Sequence, residues 1–227
     1  MRYLAIGDIH GCYKSLETLS AFVPFSADDM IITLGDYVDR GPDSRAVLDW
    51  IVARHQAGSL IALRGNHELM MLEARQSDQA FKVWLRSGGD ATLASYARSG
   101  GGADLSDIPE LHWRFLEDDI RGWFETEKHF FVHAGAYADC PLEQQPDFML
   151  YWESFDDPPP HASGKIMVCG HTSQHLGRPR SIGHAVCIDT RAYGDGWLTC
   201  LDVQSGRYWQ ANEKGETRAG WLEGSSI

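Results

Sequence analysis

The sequence predicts an α/β fold in which strands and helices alternate. The first observation is a set of five short apolar runs that each end at a glycine; they begin at Tyr3, Ile31, Leu60, Phe130 and Ile166. A short apolar run bounded by glycine is typical of a buried strand. The second observation is that the segments between the first three runs carry apolar residues at helical spacing. The resulting strand–helix–strand–helix–strand order predicts parallel strands.

The two helices of this first third are defined by their apolar stripes. The first stripe consists of Leu16, Leu19, Phe22 and Val23, and the second of Val47, Leu48, Ile51 and Val52. Asp43 or Ser44 is a suitable N-cap for the second helix, because a side-chain oxygen there accepts a bond from a free backbone N–H. Gly58 follows the end of that helix, and the third strand begins directly after it.

The remaining chain changes from helix to strand. Residues 69–120 are predicted to be mostly helical, with breaks at Gly88-Gly89 and at 100–102 and a new helix near Pro109. We interpret this segment as a helical cover on the sheet, with a lid as the alternative. Strands are predicted at 123–125 and 129–133, and a β-meander at 185–189, 197–203 and 207–210 with a turn at 204–206. The chain 1–227 is expected to be one domain.

Composition excludes several classes of protein. The net charge of −12 argues against binding to nucleic acid, which depends on Lys and Arg. The odd number of cysteines, five, and the absence of a C-x-x-C pair argue against a disulfide framework or a zinc knuckle. No apolar run approaches the roughly 18 residues that span a bilayer, and the first strand begins too early to leave room for a signal peptide. We therefore expect a cytoplasmic protein without membrane or nucleic-acid partners.

The residues that follow the five apolar runs are of the types that commonly bind metals. They are Asp8, His10, Asp36, Asn66, His133 and His171. Ligands of open α/β sheets bind outside the carboxyl ends of the strands, so these side chains are expected at one site. Carboxylate, amide and imidazole ligands suit a pair of divalent cations.

The spacing suggests how two cations divide these ligands. Asp8 and His10 lie two residues apart at a strand end, so both side chains point the same way and can hold one cation. Asp36 has two carboxylate oxygens and can bridge two cations. The amide of Asn66 and the two later histidines can then complete the second centre. Two cations about 3.5–4 Å apart share a bridging water and lower its pKa, which would provide a hydroxide nucleophile.

Four neighbouring residues carry further chemistry. His67 follows a predicted ligand and can protonate a leaving alkoxide, which requires a group that titrates near neutral pH. Asp39 can hold that imidazole in the required tautomer. Arg40 and Arg64 have the planar fork that binds phosphate in a bidentate manner. For Arg64 an ion pair with Glu68 or with an acidic loop is the alternative.

The motifs GDIHG, GDYVDRG, GNHE, HAG and GHT, in this order, resemble those of the PPP-type metallophosphoesterases. These are the serine/threonine protein phosphatases and their bacterial and phage relatives. The resemblance covers the chain from Gly7 to Thr172. It implies a β-sandwich of two mixed sheets flanked by helices, with the C-terminal meander added to it. It also implies a dinuclear centre, with manganese expected and iron or zinc also compatible with the ligands.

The resemblance assigns roles to the residues that match its motifs. The first metal would be held by Asp8, His10 and Asp36, and the second by Asp36, Asn66, His133 and His171. His67 would be the general acid, oriented by Asp39, while Arg40 and Arg64 would bind phosphate. Tyr193 lies where relatives place a tyrosine that faces the substrate, with packing in the meander as the alternative.

One feature departs from the pattern of these relatives. Many of them supply another phosphate-binding arginine shortly after a tryptophan, but here Trp152 is followed by Glu153, and no Arg or Lys occurs between His133 and Lys165. Three later arginines could replace it, although their spacing does not favour any of them: Arg178, Arg180 and Arg191.

Three functions are compatible with these observations. The leading one is hydrolysis of phosphomonoesters on phosphoproteins, mainly at phosphoserine and phosphothreonine and also at phosphotyrosine, by direct attack of a metal-bridging hydroxide. The Asp39-Arg40 and His67-Glu68 pairs favour it, because relatives that hydrolyse dinucleoside polyphosphates often have Ala before the Arg and Asp after the His. Hydrolysis of diadenosine tetraphosphate is the alternative. A non-catalytic binding module is disfavoured, because a candidate for every ligand and for the acid is present.

Overall fold

The computed structural model describes residues 1–97 and 102–223, so most of the break predicted at 100–102 lies outside the described residues. The strands are β1 Arg2–Ile6, β2 Asp29–Thr33, β3 Leu60–Ala62, β4 Trp123–Glu125, β5 His129–Val132, β6 Ile166–Cys169, β7 Arg180–Ser181, β8 Ala185–Cys187, β9 Leu198–Asp202, β10 Arg207–Ala211 and β11 Thr217–Trp221. The helices are α1 Tyr13–Phe22, α2 Ser44–Gln56, α3 Asn66–Glu73, α4 Asp78–Trp84, α5 Asp90–Tyr96, α6 Glu110–Arg114 and α7 Asp147–Trp152.

These strands form two mixed sheets. The first has the order β11-β10-β9-β1-β2-β3, and the second has the order β4-β5-β6-β8-β7. In the first sheet β1 pairs with β2 and β2 with β3 in parallel, so the predicted strand–helix alternation is confirmed. In the second sheet β5, β6 and β8 are parallel, and an antiparallel strand closes each edge. The predicted α/β sandwich of mixed sheets is therefore confirmed.

The composition of the predicted meander is corrected by the structure. The segment expected to be its first strand, β8, pairs in parallel with β6 in the second sheet. The meander consists instead of β9, β10 and β11 in the first sheet. The sequence did not indicate β11, because its residues alternate between exposed and half-buried and provide no apolar run. All three residues of β8 are buried, as expected for a strand inside a sandwich.

The core lies between the sheets and under the helices. Side chains from both sheets meet face to face, among them Ile32 from the first and Phe131 and Val168 from the second. The predicted α2 stripe and most of the α1 stripe pack on the outer face of the first sheet, together with the helices of the segment from α3 to α6. Phe22, predicted in the α1 stripe, is 38% exposed instead. No helix in the described ranges is both long and apolar enough to cross a membrane.

Candidate active site

The loops after the parallel strands are held in strained conformations. Seven non-glycine residues of the described ranges have a positive φ, and five of them belong to the motif loops: His10, Asp36, Asp39, Arg40 and His171. A left-handed φ is unfavourable for residues with a Cβ and persists only where the surrounding structure imposes it. Here the backbone N–H groups of Ile9 and His10 both donate to the carbonyl of Asp36, which ties the first loop to the second. The strain is concentrated where the predicted ligands meet.

Glu68 links the loops from the inside, a role that the sequence did not reveal. Its carboxylate accepts hydrogen bonds from the backbone N–H groups of Asp36, Tyr37 and Gly65, each at 2.8 Å, and the side chain is fully buried. Burial and the nearby charge of Asp36 raise the pKa of Glu68 to about 7, although the three N–H donors oppose this effect. Its position three residues after Gly65, the N-cap of α3, was the available signal.

One group of predicted ligands surrounds the amide oxygen of Asn66. Nε2 of His133 lies 2.9 Å from this oxygen, and Nδ1 of His171 lies 3.1 Å from it. Nε2 of His133 is also 3.5 Å from a carboxylate oxygen of Asp36. Since Nδ1 of His133 lies 2.8 Å from the carbonyl of Leu34, which can only accept, that nitrogen carries the proton. Nε2 of His133 is therefore the nitrogen that faces the oxygens of Asn66 and Asp36.

A second group shares Asp36 with the first. Nε2 of His10 lies 3.3 Å from the other carboxylate oxygen of Asp36, while its Nδ1 donates to the carbonyl of Val38. Asp8 joins the site through His171, whose backbone N–H lies 3.0–3.1 Å from both carboxylate oxygens of Asp8. Two sets of three possible ligand atoms each lie within 4.8 Å: His10, Asp36 and His67 form one, and Asp36, His133 and His171 form the other, so Asp36 belongs to both. Asp8 belongs to neither set.

This donor set fits two divalent cations. Burial lowers the pKa of His10 to about 3 and that of His171 to about 4, so both imidazoles are neutral ligands. Burial also raises the pKa of Asp8, and the charges of Asp189 and Asp36 add to the effect. A bound cation would compensate the charge of the buried carboxylates and would accept the lone pairs of the neutral imidazoles that face them.

The predicted acid and its partner lie beside His10, in the second group. Nδ1 of His67 is 2.6 Å from a carboxylate oxygen of Asp39, and Nε2 of His67 is 4.0 Å from Asp36, so it faces the ligands. Burial favours the neutral imidazole, but the charges of Asp36 and Asp39 outweigh it, and the pKa of His67 is raised. A raised pKa favours the protonated imidazole, which is the form that a general acid requires.

Tyr193 and Arg40 are adjacent to these ligands. The ring of Tyr193 meets the ring of His10 edge to face, with centroids 4.9 Å apart. The guanidinium carbon of Arg40 lies 4.6 Å from the centroid of Tyr193, and its Nη1 is 2.8 Å from Nε2 of His10. The structure therefore brings both predicted residues to the metal-ligand cluster.

Arg64 has a different environment. Its Nη2 donates to the carbonyls of Leu116 and Glu117 at 2.9 and 3.1 Å, and its buried Nε has no hydrogen-bond partner within the described part of the chain. Its side chain makes no ion pair with Glu68, whose carboxylate is occupied by backbone N–H groups. One edge of the guanidinium fork is thus engaged by the protein, and its role in phosphate binding stays a prediction.

Of the three arginines considered as replacements for the missing one, Arg191 lies near a predicted site residue, Tyr193. Its guanidinium is 6.0 Å from the centroid of Tyr193, whereas Arg180 is bound to Asp157 and to the carbonyl of Phe155. The backbone N–H of Arg191 donates at 2.8 Å to Asp189, a buried carboxylate that the sequence did not single out.

The comparisons with known proteins agree with this geometry. The family model of the calcineurin-like phosphoesterases matches residues 1–190. The chain belongs to this family. Members of the family are hydrolases that depend on two metal ions, and the buried ligand groups around Asp36 are the candidate site for these ions.

The relatives that it resembles have two kinds of name. Serine/threonine-protein phosphatase 1 of Salmonella typhimurium is 42% identical over 86 residues, which are 37% of this chain and 38% of that protein. A symmetrical bis(5'-nucleosyl)-tetraphosphatase of Nitrosospira multiformis is 28% identical over 63% of this chain and 47% of that protein. The chain thus spans less than half the length of these curated relatives.

The solved structures support the fold alone. A structure described provisionally as a diadenosine tetraphosphatase has a TM-score of 0.64 at 20% identity, covering 98% of this chain and 94% of that chain. The cold-active protein-tyrosine phosphatase of a Shewanella species has a TM-score of 0.63 at 17% identity, covering 96% and 80%.

Proposed function

We propose that this chain is a dinuclear-metal phosphatase that hydrolyses phosphomonoesters on proteins. The observation that carries the proposal is the position of the His67–Asp39 pair beside two ligand groups that share Asp36. A protonated imidazole next to a site for two cations is suited to the cleavage of an ester with a poor leaving group. Binding without catalysis would not require such an acid.

Six of the proposed site residues would hold the two cations. Two bound cations would polarise the phosphoryl oxygens and lower the pKa of a water molecule between them. Asp8, His10 and Asp36 would hold one, and Asp36, Asn66, His133 and His171 the other, with manganese as the proposed metal. Metal analysis of protein purified without added metal tests this identity.

His67 acts on the leaving group in this proposal. Asp39 accepts a hydrogen bond from Nδ1–H of His67, so the proton available to the substrate is on Nε2, the nitrogen that faces the ligand cluster. Transfer of this proton to the departing serine or threonine oxygen avoids a free alkoxide, and the imidazole is neutral afterwards. Solvent then returns a proton to His67.

Arg40 is the proposed contact for the phosphoryl group. It donates to Nε2 of His10, the lone pair that a cation would also use. Because a guanidinium and a cation cannot share that lone pair, a cation held by His10 would leave Arg40 available for an anion. The ring of Tyr193 supports the guanidinium from one side, which limits where it can move.

Hydrolysis of symmetrical dinucleoside tetraphosphates is the second candidate. Three relatives with that name each cover 63% of this chain, whereas the two named serine/threonine phosphatases each cover 37%; others with that name cover 32–48%. In the structure the exposed guanidinium of Arg191 lies near Tyr193, with its Nη1 3.5 Å from Nδ1 of the exposed His175, so it offers a cationic group for a second phosphate.

One experiment decides between these substrates. We expect kcat/KM of the metal-loaded protein to be higher for a phosphoserine peptide than for diadenosine tetraphosphate. A value for diadenosine tetraphosphate more than about tenfold above that of every phosphopeptide, equal to ~1.4 kcal/mol in transition-state binding, would assign the second function. The Asp36→Asn variant is the control for contaminating phosphatases.

The direct attack has its own test. Hydrolysis in ¹⁸O-water of a substrate that is chiral at phosphorus should proceed with inversion, because one in-line displacement inverts the configuration. Retention would reveal a phosphoenzyme and would contradict the proposed mechanism.

A further inference from the structure

Asp39 and Arg40 are held in their strained conformations by a distant part of the chain. Both residues have a left-handed φ, 73° and 69°. The backbone N–H of Asp39 donates to Oγ1 of Thr92 at 2.8 Å, and that of Arg40 donates to the carbonyl of Gly88 at 3.1 Å. The contacts come from the segment 84–92, which joins the end of α4 to the start of α5. This segment therefore fixes the backbone of two proposed site residues.

The same segment also holds the carboxylate of Asp39. The indole Nε1 of Trp84 lies 3.0 Å from both oxygens, and Oγ1 of Thr92 donates to Oδ1 at 2.7 Å. The remaining contact is that of Oδ2 with Nδ1 of His67. All four side chains are almost fully buried, so water does not compete for these bonds. The donors on Oδ1 leave Oδ2 facing the imidazole.

Two glycines allow Trp84 and Thr92 to reach the same carboxylate. Gly88 has a φ of 111°, and a Cβ at this position would lie 2.8 Å from the backbone nitrogen and from Cγ of Arg40. A Cβ on Gly89 would overlap the indole ring of Trp84. The turn between α4 and α5 can therefore pack against the Asp39–Arg40 loop only with glycine at both positions.

We propose that Trp84 and Thr92 are positioning residues for the phosphoester reaction, because they orient Asp39 and, through it, the acid His67. This inference rests on the proposed function. Within the described residues, the hydrogen bonds from Trp84 and Thr92 to the site all involve Asp39: its carboxylate and, for Thr92, also its backbone N–H. A purely structural role would lower stability, and turnover of all substrates equally, whereas a positioning role lowers turnover where the leaving group needs a proton.

The kinetic test uses paired variants. Thr92→Val keeps the shape and removes the hydroxyl, while Thr92→Ser keeps the hydroxyl; Trp84→Phe removes only the indole N–H donor and part of the ring. With alkyl phosphates we expect Thr92→Val and Trp84→Phe to lower kcat about tenfold or more, with KM nearly unchanged. With an aryl phosphate of acidic leaving group the loss should be under about threefold, and Thr92→Ser should restore most of the activity.

Matched controls separate this role from general destabilisation. Trp113 is a buried tryptophan that contacts Arg75, and Thr199 is a buried threonine bonded to Gln210; neither is bonded to Asp39 or His67. Trp113→Phe and Thr199→Val should therefore leave the ratio of alkyl to aryl turnover unchanged. The same loss on both substrate classes in Thr92→Val and Trp84→Phe would overturn the positioning role.

A spectroscopic measurement does not depend on activity. In the NMR spectrum of the metal-free protein, we expect the His67 Nδ1 proton resonance to move in Thr92→Val and in Trp84→Phe, and to recover in Thr92→Ser. Asp39→Asn should move the indole proton of Trp84 and leave that of Trp113 in place. Unchanged resonances would overturn the inference. A wild-type protein inactive on every phosphoester would overturn the proposed function instead, which keeps the two failures distinct.

Discussion

The two sides of the site differ in how tightly the protein holds them. The buried side is centred on Asp39, Trp84 and Thr92, within residues 36–40 and 84–92; all three are fully buried, and Trp84 and Thr92 are both hydrogen-bonded to the Asp39 carboxylate. The open side consists of residues 173–176 and 191–194, where Leu176 is 92% exposed and Arg191 is exposed. We therefore expect the buried side to hold the proton donor in a fixed position, and the open side to make the contacts that select a substrate.

The largest effect is expected where both ligand groups depend on one carboxylate. Asp36→Asn should reduce bound metal and lower kcat by at least about 100-fold, the upper range for residues that merely support ligands. Asn66→Ala affects only one ligand group, so it should reduce bound metal and kcat less than Asp36→Asn does. Metal analysis with steady-state kinetics checks both variants. Two retained metals and near wild-type turnover in Asp36→Asn would contradict the bridging role.

The next effect concerns the unit formed by the acid and its partner. Asp39→Asn should lower kcat on alkyl phosphates about 10- to 100-fold, because the amide no longer holds His67 in the required tautomer. Adding His67→Asn to it should cost little more than His67→Asn alone, since residues that act as a unit are not additive. Full additivity in single and double variants would separate the two residues.

A smaller effect tests whether the buried side is strained. Gly88→Ala should reduce the free energy of unfolding by about 2–3 kcal/mol, because the new Cβ meets Arg40 in an unfavourable backbone conformation. Gly58 also has a positive φ, 73°, but has nothing within 4 Å of its Cβ position, so Gly58→Ala should cost only ~1 kcal/mol. Urea denaturation measures both. Equal losses would show that the contact with Arg40 is unimportant.

The smallest effect is expected on the open side. Arg191→Gln should raise KM about two- to fivefold and leave kcat unchanged, because an exposed charge contributes ~0.5–1 kcal/mol. The increase should be greater for a tetraphosphate than for a monoester. Arg207 stacks on Trp209 and Trp221 in the meander, so Arg207→Gln is the matched control. A lowered kcat in Arg191→Gln would show that this residue takes part in the chemical step and not only in substrate binding.

The sequence predicted which residues lie at the strand ends, but it did not predict Trp84 and Thr92, which hold Asp39 from behind. The clustering of the candidate ligands could be predicted because each follows an apolar run within a few residues, and the parallel pairing of β1 with β2, β2 with β3 and β5 with β6 brings the strand ends together. Trp84 and Thr92 could not, because they lie 45 and 53 residues from Asp39 and share no motif with it. Their contacts depend on how the helical segment packs.

The fold shows the same limit. The place of β8 in the second sheet could not be predicted, because an apolar strand of three residues fits either sheet equally well. The antiparallel β11 was missed because its alternating burial resembles a polar loop. Local patterns thus predict that an element exists, while its partners depend on packing between distant segments.

The central claim is that the buried side fixes His67 as a proton donor to the leaving group. Its most direct test is the ratio of kcat between wild type and His67→Asn across a series of phosphate esters with leaving groups of increasing pKa, with bound metal confirmed in both proteins. We expect the ratio to rise from near unity for acidic phenols to ~10²–10⁴ for alkyl alcohols. A ratio that stays constant across the series would contradict the claim.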